Sequence, residues 1–192
     1  MYQLEEWVNE MFTGIENKDV EMPDFNSPPA YNQDNLGNFY RIEPVMDNNS
    51  LTVAWFLPNV EKYHDTKPLF YHSHILGHEG KGSLLSNLMK DGLATHTSTF
   101  VDHVLSSYSN LYLDIHLTNK GIDQYEEVIK RVWAYIRMIK EREPQEYIYN
   151  DYKRTKELHW EFLEKAFPAS YTTWLSSRMQ LFSEDNIENV LS

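Results

Sequence analysis

One run constrains this chain more than any other: Leu111, Leu113, Ile115 and Leu117 alternate with Tyr112, Asp114, His116 and Thr118. Period-two alternation puts the apolar side chains on one side of an extended strand and the polar ones on the other, so the run specifies a sheet with one face buried and one open. The same pattern reaches back, more weakly, across residues 93–118. Directly after it, Ile122, Tyr125, Ile129, Val132, Ile136 and Ile139 fall on one stripe of a helix. A half-apolar sheet followed by a one-sided helix is a surface and its cover.

The remaining elements are read around this pair. Leu4, Trp7, Val8, Met11 and Phe12 sit at helical spacing and Gly14 stops them. Residues 21–38 hold Pro23, Pro28, Pro29 and Gly37 among polar residues, which reads as a connector. Strand-like runs at 39–45 and 50–57, separated by Met46, Asp47, Asn48 and Asn49, predict a hairpin closed by Pro58. Asp65 or Thr66 is the expected cap of a helix that takes Pro68 in its first turn and runs to Gly77, Gly80 and Gly82. A short helix with Leu84, Leu85, Leu88 and Met89 inward ends before Gly92, which suits a left-handed C-terminal position. Further helices are expected over 144–167, over 171–182, and after Ser183, where the chain stops as a helix begins, as in a segment of something longer. The order predicts an α+β fold: a mainly antiparallel sheet covered on one face by helices.

Composition narrows function. With 41% hydrophobic and 14% aromatic residues among 192, the chain has material for a core. A net charge of -12 repels phosphate backbones and excludes nucleic acid as a natural partner; neutral or cationic partners suit it better. There is no cysteine, hence no disulfide, thiolate metal ligand or cysteine nucleophile. The acidic N-terminus is unlike a secretory signal, and no run is apolar for the length of a membrane span, so the expectation is a soluble, cytoplasmic protein that does not engage membranes.

The densest chemistry is His72, His74, His78 and Glu79. His74 and His78, four apart, share a helix face as two zinc-binding imidazoles would. A zinc peptidase also needs a carboxylate to activate water, and that position falls on Ile75 in H-E-x-x-H and on Gly77 in the inverted motif. Glu79, next to His78, points about 100° away from it on a helix. No catalytic residue and no metal ligand set is therefore assigned, and polar residues at a helix end are the plainer reading. Gly77, Gly80, Gly82 and Ser83 lack the Gly-Lys-Ser/Thr ending of a phosphate loop, and Ser83 and Ser86 lack a nucleophile elbow.

The run from Pro68 to Leu93, with His74-Ile-Leu-Gly-His-Glu-Gly-Lys-Gly-Ser-Leu-Leu85 at its centre, resembles the second-domain signature of the insulinase family of zinc metallopeptidases. Leu4-Glu-Glu-Trp-Val8, Tyr40-Arg-Ile-Glu-Pro-Val45, Gly121 and Pro144-Gln-Glu146 extend the likeness over nearly the whole chain. The resemblance implies residues 1–20 as the last helix of a preceding catalytic-type domain, 21–38 as linker and 39–192 as a second, non-catalytic domain, incomplete at its C-terminus. Zinc would be held by an H-x-x-E-H in the preceding domain and not here. The implied partners are peptide substrates and the remaining domains of the parent peptidase. The implied role is chamber wall and exosite, with His74, Gly77, Glu79, Thr97, Ser98 and Thr99 holding a peptide N-terminus. Thr99 and Phe100 stand where the family has a Gly pair. Two rivals stay open: a non-enzymatic scaffold in a larger complex, and an independent metal module using His72, His74 and His78.

Overall fold

A computed structural model describes residues 2–21, 23–25, 27–45, 49–102, 107–180 and 182. Among them the order is α1 (Tyr2–Phe12), β1 (Ser50–Pro58), α2 (Pro68–Leu76), α3 (Leu84–Lys90), β2 (Ala94–Asp102), β3 (Tyr108–Leu117), α4 (Asn119–Asp123), α5 (Tyr125–Lys140), α6 (Glu146–Glu161) and α7 (Pro168–Met179). The fold is α+β, as the periodicity predicts.

The strands form one antiparallel sheet in the order β1-β3-β2. β3 is central because its inward row, Leu111, Leu113, Ile115 and Leu117, is the most apolar and needs neighbours on both sides. Leu113 and Ile115 pack with Leu51, Val53 and Trp55 of β1 and Ala94 of β2, beneath Leu84 and Leu88 of α3 and Val128 and Val132 of α5. Leu69 and Leu76 of α2 cover Leu111 at the other end of the strand, joined by Val101 and Trp55. Arg131 of α5 fastens α3 to this layer, donating to Glu127 at 3.0 Å and reaching the Asp91 carboxylate at 2.7 Å. The guanidinium holds the Asp91 carboxyl below the usual carboxylate range.

Three expectations are corrected. Residues 39–45 form no strand: β1 pairs with β3, and Phe39 instead stacks on Tyr125 of α5 with ring centroids 5.3 Å apart. Of the expected hairpin turn, residues 46–48 lie outside the described residues. Neither Asp65 nor Thr66 caps α2; Lys67 does, at φ 44 and without a side-chain bond, while Pro68 takes the first helical position as expected. The helix expected over 144–167 is α6, ending at Glu161, with α7 beginning at Pro168. Gly92 has φ +67, the left-handed conformation its place after α3 suggests. The helix expected after Ser183 lies outside the described residues.

Candidate functional site at the edge of the sheet

β2 is an edge strand: among the described residues only β3 pairs with it. Its side chains separate by parity. Thr97, Thr99 and Val101 face the helices, while His96, Ser98 and Phe100 face the open side. The ladder is irregular between Ala94 and His96, so the strand bends where α3 hands over to it.

α2 crosses β2 where Gly77 follows its last residue. A β-carbon on Gly77 would sit 2.8 Å from the Thr99 Oγ1, so glycine here is what permits the helix end to approach the strand. Thr99 binds that helix end twice: its hydroxyl donates to the Ser73 carbonyl at 3.1 Å and accepts from the Ser73 hydroxyl at 2.8 Å. Thr99 thus fills the space on the strand side of Gly77. Thr97 is 2% exposed and its Oγ1 has no hydrogen-bond partner among the described residues. Thr97 and Thr99 thus turn their side chains toward the helices, whereas Ser98 presents its side chain on the open face.

Beyond Gly77 the chain turns out to the strand edge, and the Glu79 carboxylate comes 3.3 Å from His96 Nδ1, forming an ion pair when that imidazole is protonated. His96 also faces His116 across the ladder, ring centroids 5.6 Å apart. The structure brings Gly77 against Thr99 and Glu79 against His96, both on β2.

His74 lies on the other side of α2. Its Nε2 is 3.6 Å from Asp151 of α6 and its ring is 5.2 Å from that of Tyr152. It lines a cavity of about 590 Å³ between α2, α5 and α6, with His78, Tyr135 and Asp151. Burial pushes the Tyr135 and Tyr152 hydroxyls above the ordinary phenol range. His74 thus meets α6, while Glu79, past the end of α2, meets His96 of β2.

The His72 Nδ1 lies 2.8 Å from the Pro68 carbonyl of its own helix, and the His74 and His78 rings are 6.1 Å apart. Among the described residues no three His, Asp or Glu side chains converge as metal ligands. Sequence reasoning missed His96, Ser73 and Asp151, which give the site its contacts. His96 could have been found from the period-two parity of β2; the pairing of Ser73 with Thr99 has no local signature.

The chain is similar to known proteins along nearly all of its length. The family described as Peptidase M16 inactive domain matches residues 2–156. Human nardilysin is 31% identical over 196 residues, covering 96% of this chain and 16% of that protein. Insulin-degrading enzyme of Drosophila melanogaster is 29% identical over 185 residues, covering 96% of this chain and 19% of that protein. The chain spans less than a fifth of the length of these relatives. The crystal structure of pitrilysin matches the fold with a TM-score of 0.66 at 19% identity, over 71% of this chain and 15% of that one. The signature around Gly77, the edge-strand sheet and these likenesses agree: the chain belongs to the inactive-domain family of the insulinase-type peptidases.

Proposed function

We propose that this chain serves a larger zinc endopeptidase as a non-catalytic wall that anchors the N-terminus of an extended peptide along β2. In this reading residues 1–20 belong with a preceding zinc-bearing domain, 21–38 connect, and 39–192 form the wall. The observation that carries it is the outer edge of β2, unpaired among the described residues and ending beside a carboxylate, Glu79. An added strand satisfies the free N–H and C=O groups of an edge. A terminal ammonium then meets Glu79 in place of His96, while Thr97 and Thr99 bind through their backbone and Ser98 through its open face. Gly77 acts indirectly, by letting α2 approach β2 and carry Glu79 to the edge. His74 supports α2 against α6.

A charge-assisted hydrogen bond contributes about 1.5–3 kcal/mol, so Glu79→Gln weakens binding of a free-amine peptide by roughly 10- to 150-fold. Titrating a peptide and its N-acetylated twin against wild type and Glu79→Gln tests this. Acetylation and the substitution should each weaken binding, and together no more than either alone. Equal affinity in all four combinations would refute the anchor.

A further inference from the structure

The open face of β2 and β3 carries its side chains in rows set by register: His96 opposite His116, Ser98 opposite Asp114, Phe100 opposite Tyr112. The rows differ in chemistry. The first ends at the Glu79 carboxylate. The second has a small hydroxyl in front of the Asp114 carboxylate, which accepts from the Thr52 hydroxyl on its far side. The third is an aromatic platform, Phe100 and Tyr112 stacked with centroids 6.1 Å apart and planes 28° apart. Phe100 is 60% exposed on the outermost strand, where a side chain that size costs hydration unless something covers it. The inward side offers the reverse: Thr97 is buried and Thr99 is tied to Ser73.

A strand added to β2 lies about 4.8 Å away and repeats the same two-residue period. With its amine at Glu79 it must run parallel to β2, so its first, third and fifth residues stand level with His96, Ser98 and Phe100. We infer that this edge reads alternate residues of its peptide: a free amine at the first, a long cationic side chain at the third that crosses Ser98 to Asp114, and an aromatic or large apolar side chain at the fifth that covers Phe100. The second and fourth residues face the closed side and are small. The net charge of -12 favours such a cationic ligand over an acidic one. This inference rests on the amine-anchoring reading and adds to it the substrate class.

The probe is a C-terminally fluorescein-labelled octapeptide, serine and alanine except for arginine at the third place and phenylalanine at the fifth. Its twin has the same composition with those two residues at the second and fourth places. Both are titrated by anisotropy against the full chain, with free and with acetylated N-termini. Cross-strand neighbours contribute about 2- to 5-fold per row, so the shifted twin binds roughly 4- to 25-fold more weakly. Phe100→Ser abolishes the preference for phenylalanine and Asp114→Asn that for arginine. Equal affinities of the two twins, with binding still sensitive to acetylation, overturn the inference alone. Binding insensitive to acetylation overturns the anchoring reading and the inference with it.

Discussion

Gly77 and Gly121 are glycine for packing reasons that only the fold reveals. At Gly77 a β-carbon would press on a side-chain oxygen, Thr99 Oγ1 at 2.8 Å; at Gly121 it would press on the Leu93 carbonyl oxygen at 1.9 Å. A side chain can be removed and a backbone cannot. Gly77→Ala should therefore destabilise by about 1–3 kcal/mol, the usual range for overpacking, and Thr99→Ala should recover part of that loss. Gly121→Ala should cost more and find no such rescue. A double-mutant cycle by urea denaturation measures both, and simple additivity of Gly77→Ala with Thr99→Ala would show that their contact is not what requires the glycine. In the sequence Gly77 reads as a helix end and Gly121 only as a match to a family pattern. Their partners lie 22 and 28 positions away, and nothing local announces them. His74 and Glu79, close along the chain, meet different neighbours, Asp151 and His96, and nothing local announces either.

Among elements, those built on a single period were legible. The alternation in β3 and the stripe on α5 both emerge as core, although Val128 and not Ile129 is the fully buried residue in the second turn of α5. Strand pairing was not legible. The runs at 39–45 and 50–57 are adjacent and invite a hairpin, yet β1 finds more apolar surface on β3, whose register sets Val53 against Leu113 and Leu51 against Ile115. α1 raises the opposite question. Its apolar stripe was plain in the sequence, but the fold leaves Leu4, Trp7, Val8, Met11 and Phe12 exposed, and no residue of the helix is buried. Such a stripe promotes association. Removing residues 1–12 should leave the thermal midpoint unchanged and shift sedimentation toward smaller species. A clear fall in midpoint without any gain in solubility would mean that the helix packs within this chain.

For the whole molecule, the family assignment and the geometry of the β2 edge both support the proposed reading. The sheet supplies a paired interior strand, a helical cover on one face, and an edge that is unpaired among the described residues and has a carboxylate beside it. It supplies no convergent metal ligands among the described residues. Purified chain incubated with zinc and unstructured peptides should show no cleavage, and turnover abolished by a chelator and by His74→Ala would reveal a metal centre that the geometry does not provide. The central claim is that peptide adds to the edge of β2 with its amine at Glu79. Backbone hydrogen exchange tests it most directly, because an added strand must protect edge amides that were open to water. On addition of a free-amine peptide, slowed exchange should appear within residues 94–102 and disappear with the N-acetylated peptide or with Glu79→Gln. Unchanged exchange across β2 at saturating peptide, or protection indifferent to acetylation, would contradict the account.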